Sequence, residues 1–130
     1  MGLIDSLNYI LVYRNTQENH DKIWGILQGE DGVMYVFWGK WQQALQFKNH
    51  GSGPAGINQE GFPVYAPGKR NVGFFNPPMP EPFLIRSKKL NKGYVRTELE
   101  DVISQWPEFE DTLWQRLTAF KLTQLAQQCI

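Results

Sequence analysis

Few side chains in this sequence could perform covalent chemistry, and their spacing does not gather them. His20 and His50 lie far apart, and neither has a cysteine or a carboxylate pair beside it. Zinc ligands come in close pairs, so no metal site is expected. The single cysteine, Cys129, stands next to the C-terminus of a helical segment and reads as a structural or exposed thiol. Neither G-x-G-x-x-G nor G-x-x-x-x-G-K-[ST] occurs, so the glycines give no phosphate cradle of either kind. Gly68-Lys69-Arg70 is a basic turn that could grip a phosphate or simply face water. Glu98, Glu100 and Asp101 cluster as helix N-terminal acids do. Two catalytic carboxylates would need surroundings that split their acidities, and no such surroundings are written here. No enzyme activity and no cofactor are expected.

The binding inventory is richer. Trp38 and Trp41 bracket Gly39 and Lys40. Phe47, Phe62, Tyr65, Phe74 and Phe75 follow, interleaved with lysine and arginine. Flat aromatic faces stack on bases or sugars, and cations neutralise phosphates. The alternative is that these rings form the core of a small β-rich domain. Trp38 and Trp41 point to opposite faces of a regular strand, so at least one is expected at a surface or a turn.

Charge is sorted along the chain. The formal net charge is zero. Between Lys40 and Arg96, nine basic residues face only Glu60 and Glu81, a local charge of +7. This favours a basic face with an anionic partner. The opposing expectation is that acidic C-terminal helices fold back and cancel it.

These groups need elements to hold them. A chain of 130 residues, 42% apolar and 14% aromatic, suits one compact domain without disulfides. Tyr9 to Tyr13, Lys22 to Leu27 and Val33 to Trp38 read as strands, with Asp31-Gly32 marking a hairpin. Trp41 to Phe47 is a further strand candidate, which makes an antiparallel meander of three or four strands. From Asn49 to Pro82 the chain holds half of its glycines and all but one of its eight prolines. It reads as a long loop packed on the sheet through its aromatics. Glu81 to Lys92 forms a helix, with Leu84, Ile85 and Leu90 inward and Arg86, Lys88, Lys89 and Lys92 outward. Tyr94-Val95 follows as a short strand. Thr97 is expected to cap a helix with Val102, Ile103 and Trp106 on its apolar face, stopped by Pro107. A last helix runs from about Glu108 to Gln128. Its stripe is Phe109, Leu113, Leu117 and Phe120. The fold class is α+β. The expected division is a β-rich unit over 1–96, carrying loop 49–82, and a helical extension over 97–130 packed on it. No segment approaches the ~20 apolar residues of a membrane span. The acidic start is unlike a signal peptide, and a cytoplasmic location is expected.

Three short motifs occur in order: Lys22-Ile23-Trp24, then Phe37-Trp38-Gly39-Lys40 after the hairpin, then Lys88-Lys89-Leu90-Asn91-Lys92-Gly93-Tyr94 closing a helix. This order resembles a WGR domain over roughly Tyr9 to Val95. Lys40 stands at the family's arginine position, and Gln42 stands where a glycine is usual. The resemblance implies a small antiparallel sheet with a packed helix. In the poly(ADP-ribose) polymerases that carry it, the domain contacts a DNA end. By match of motif, Trp38 would lie against a nucleotide sugar and Lys40 near the backbone. Two functions follow as expectations. One is a nucleic-acid-binding module using Trp38, Lys40, Trp41, Lys69, Arg70, Lys88, Lys89 and Lys92, which requires those groups to share a face. The other is a protein-interaction or structural module, with exposed aromatics or a helix stripe as its contact surface.

Overall fold

Period-two alternation in three apolar segments builds the centre of the molecule. In the computed structural model, residues 3–59, 61–64, 70–72, 74–76 and 79–128 are described, as backbone alone at 3, 70–72, 74–76 and 128. After a single helical turn α1 (Leu3–Ser6), the strands β1 (Tyr9–Asn15), β2 (Lys22–Gln28), β3 (Val33–Lys40) and β4 (Gln46–Ser52) form an antiparallel meander. Strand β9 (Val95–Thr97) adds to the outer edge of β1, giving the order β4-β3-β2-β1-β9.

Both faces of the sheet are covered, so its strands are apolar on both sides. One face presents Val12, Ile23, Leu27, Tyr35, Phe37 and Phe47. It is buried by α3 (Leu99–Gln105) and α4 (Phe109–Gln128) through Val102, Trp106, Phe109, Leu113 and Leu117. The other face presents Leu11, Tyr13, Trp24, Ile26, Met34 and Val36 and packs on Phe83 of α2 (Glu81–Asn91). The helical extension therefore shares a core with the sheet. Phe120 joins the α4 stripe half-buried, as its spacing requires.

The hairpin joining β2 and β3 is built as Asp31-Gly32 suggests. Gly32 takes a left-handed φ of 83°, and the Asp31 carboxylate accepts the Val33 N–H at 3.0 Å. Gln28 is buried, but both ends of its amide are satisfied. Its Nε2 donates to Gly32 O, and its Oε1 accepts from Asn8.

Gly25 sits mid-strand between Val12 and Phe37. A Cβ there would lie 2.6 Å from the Leu11 carbonyl oxygen and inside the Phe37 ring. That ring is fully buried and has nowhere to retreat. Gly25→Ala should therefore cost about 3 kcal/mol or more through overpacking, read as a lower urea midpoint with an unchanged slope.

Several elements depart from the sequence expectation. The fourth strand begins at Gln46, not Trp41. Residues 41–45 turn instead, with Gln42 at φ 61° and its Nε2 donating to Gln105 O. Segment 49–82 is not all loop. Strand β4 runs into it, and two small hairpins form, β5 (Gly56–Ile57) with β6 (Pro63–Val64) and β7 (Arg70–Val72) with β8 (Phe74–Asn76). Such pairings of two and three residues need little sequence length, so dense glycine and proline do not exclude them. On α2 the faces are partly exchanged. Leu84 and Leu90 are exposed, while Phe83 and Arg86 are buried. Thr97 lies in β9, its hydroxyl donating to Val95 O, and Glu98 takes the N-cap position of α3 without a capping side-chain bond. Ile103 is 37% exposed. Among the described residues no helix is long and apolar enough to cross a membrane.

Candidate functional site

Hairpin register sets the first part of the site. The β2–β3 pairing places Lys22 opposite Lys40 and Trp24 opposite Trp38. Directly opposed residues share a face, so the two lysines are cross-strand neighbours, and like charges in that position destabilise a sheet unless something neutralises them. The row that contains Trp38 continues across the sheet through Trp24 and Tyr13 to Arg96. Tyr13 and Trp24 have ring centroids 5.7 Å apart.

The end of α2 sets the second part. Tyr94 N–H donates to Lys89 O, and Gly93 N–H donates to Leu90 O. This pair of bonds is a Schellman closure, and Gly93 supplies the left-handed residue it needs at φ 99°. The turn carries Tyr94 back under the helix, so that the Lys89 ammonium lies 5.1 Å from the Tyr94 ring centroid.

The two parts meet in a groove of about 530 Å³, lined by Lys22, Trp38, Lys40, Gln46, Lys89 and Tyr94 together with Ile23, Gly39, Gln43 and Ala44. No carboxylate lines it. Among the described residues none pairs with Lys22, Lys40 or Lys89. Partial burial pushes the Lys89 ammonium below its ordinary pKa, and the nearby charges of Lys92 and Lys22 push it the same way. The C-terminal segment that carries α3 and α4, acidic as a whole, covers the opposite face of the sheet, so it does not screen this groove.

The expected site residues divide accordingly. Trp38, Lys40 and Lys89 line the groove, and Lys92 stands beside it as the C-cap of α2. Lys88 is exposed on α2 outside the lining. Trp41 belongs to the other face. Its ring lies under the Arg14 guanidinium at 3.7 Å and edge-on to Trp106 at 5.2 Å. Arg14 is itself held in a two-bond fork by Asp21 and donates to Gln105. That fork raises the Arg14 pKa, the hydrogen bonding to the Asp21 carboxylate being the main cause. Trp41 is thus half-buried structural packing. Lys69, Tyr65 and Cys129 lie outside the described residues, as do the side chains of Arg70, Phe74 and Phe75. Phe47 is core, whereas Phe62 is exposed. Lys22 and Tyr94 were not among the expected site residues. A symmetric register about the Asp31 hairpin would have found Lys22, and the Gly93 turn would have found Tyr94.

His50 of β4 is a titratable group on this face whose side chain is only 6% exposed. Its Nε2 has no hydrogen-bond partner among the described residues, and its Nδ1 lies 3.9 Å from a Glu81 carboxylate oxygen. Burial lowers its pKa below 6.5, Lys48 adds to the fall, and Glu81 partly opposes it. The unfolded chain therefore takes up the proton first as pH falls, so this contribution to stability is intact above pH 6.5 and is lost below it. Denaturation at pH 7.5 and 5.5 should show a larger loss for the wild type than for His50→Gln.

Comparison with family models, with curated proteins and with solved structures returns no match to this chain.

Proposed function

We propose that this chain is a non-enzymatic nucleic-acid-binding module that uses the Trp38–Tyr94 groove. The observation that carries this reading is the convergence of Lys22, Lys40 and Lys89 on two aromatic rings, with no carboxylate in the lining. The ammonium groups meet backbone phosphates, and the ring faces meet bases or sugars. The groove is short and lies at one end of the sheet, which suits an unpaired strand or a strand end better than a long duplex. The resemblance to WGR domains supports the same use of Trp38 and Lys40.

Fluorescence anisotropy tests this with labelled single-stranded, nicked and duplex DNA and with RNA, at two salt concentrations. The expected result is micromolar binding that weakens with salt and favours single strands or ends. Absence of binding at low salt would sink the proposal.

A second reading, protein interaction, draws on α4, where Trp114, Leu122 and Leu125 are 54%, 62% and 57% exposed. Exposed apolar side chains of this size on one helix suit a partner surface. Binding of a protein with an unchanged groove would favour it.

A further inference from the structure

A second basic pair lies away from the groove, beside Asn58, Gln59, Gly61 and Phe62. The turn that carries these four is internally closed. Asn58 N–H donates to Phe62 O, Gly61 N–H donates to Asn58 O, and the Asn58 side chain accepts the Phe62 N–H. Two arginines reach it from different elements. Arg86 of α2 donates from an Nη to Gly61 O, and Arg96 of β9 donates from Nη1 to Gln59 O at 3.1 Å.

Their nitrogens also approach each other. The position a Cβ would take at Gly61 lies 2.7 Å from Arg86 Nη1 and 3.5 Å from Arg96 Nη1. The two nitrogens are therefore at most about 6 Å apart. Gly61 has φ 83°, so glycine suits this position on conformational grounds as well as on space.

Arg86 is 8% exposed, and its Nε has no hydrogen-bond partner among the described residues. Its guanidinium lies 5.2 Å from the Phe62 ring centroid and 5.8 Å from that of Phe83. No described carboxylate pairs with either arginine. A buried guanidinium with an unpartnered Nε beside a second cation is an arrangement that a buried charge rarely adopts without an anion.

We propose that Arg86 and Arg96, with Gly61 between them, form a binding site for a phosphate group. Guanidinium forks match phosphate oxygens in geometry as well as in charge. Glycine at this position lets both guanidinium groups close on the turn, since a Cβ there would lie 2.7 Å from Arg86 Nη1. Phe62 stands over Arg86 at the surface and offers a face to whatever carries the phosphate. This site does not depend on the groove reading, because none of its residues lines the groove. Glu60 follows Gln59 in sequence and lies outside the described residues, so it is the internal competitor that the test must separate.

The test uses the full chain and inorganic phosphate, compared with chloride at equal ionic strength. Thermal unfolding and titration calorimetry are both read. The expected result is a phosphate-specific rise in Tm of the wild type and millimolar or tighter binding. In Arg96→Gln, an exposed position that should fold normally, affinity should fall about tenfold, the loss of one charge-assisted contact. Glu60→Gln should bind phosphate at least as well as the wild type. A Lys22→Ala, Lys40→Ala, Lys89→Ala variant should keep the phosphate effect, which separates this site from the groove. The proposal is overturned if phosphate acts no differently from chloride. It is also overturned if Arg96→Gln binds like the wild type, or if Glu60→Gln unfolds at lower temperature while phosphate has no effect on either protein.

Discussion

At ~0.1 M salt, replacing Lys22, Lys40 and Lys89 with alanine together should weaken binding of a single-stranded oligonucleotide about a hundredfold. Counterion release sets this magnitude. Each phosphate neutralised on a single strand contributes about 0.7 to the slope of log affinity against log salt, so each contact is worth roughly fivefold at that concentration. Three contacts multiply. The salt slope itself should flatten by about 2 in the triple variant. All three residues sit at the groove, and Lys22 and Lys40 are exposed. Their removal should leave the melting temperature unchanged or raise it slightly, because opposed ammonium groups are relieved. Lys88→Ala serves as the contrast, since Lys88 is basic and exposed but lies outside the lining. Equal losses for Lys88→Ala and Lys89→Ala would mean that a diffuse basic helix binds and the groove does not. Trp38→Ala should remove a further factor that reflects lost stacking, about 1–3 kcal/mol per base. Its ring is half-buried beside Trp24, so its melting curve must be read alongside.

The largest expected effect on stability is at Phe109. This ring is fully buried where α4 begins, 6.2 Å from the Phe37 ring centroid and 5.2 Å from that of Trp106. It joins the C-terminal helices to the sheet. Phe109→Ala should cost about 3–5 kcal/mol, which for a domain of this size lowers Tm by about 12–20 °C. The same geometry sets the outcome for a chain ended after Arg96. Val12, Ile23, Phe37 and Phe47 would lose their cover, and the fragment should aggregate or remain unfolded. A fragment of residues 1–96 that melts cooperatively would show that the helices are an appendage and the β-rich unit a domain by itself.

The two variants also separate binding from folding. The lysine variant should lose affinity and keep its melting temperature. Phe109→Ala should do the reverse at temperatures where it remains folded, because α4 covers the face opposite the groove.

Much of the local structure was legible in the sequence. Strand alternation, the Asp31-Gly32 hairpin and the α4 stripe follow from side-chain period and turn chemistry, which act over a few residues. The same holds for the Gly93 turn, and with it for the pairing of Lys89 with Tyr94. Hairpin register carries Lys22 to Lys40 by a local rule as well. The tertiary structure decided what distant elements do to one another. Sequence pattern placed Leu84 and Leu90 inward and Arg86 outward, because hydrophobicity alone assigns the face of a short helix. The packed molecule buries Phe83 and Arg86 instead, since the turn at Gly61 offers the guanidinium a carbonyl and an aromatic ring. Trp38 and Trp41 are near neighbours in sequence and opposite in role, because each face of the sheet has its own cover. The charge sorting of the chain became a site only when α2 crossed one face and the acidic helices took the other. That choice of face depends on contacts between residues more than fifty positions apart, which no local pattern records.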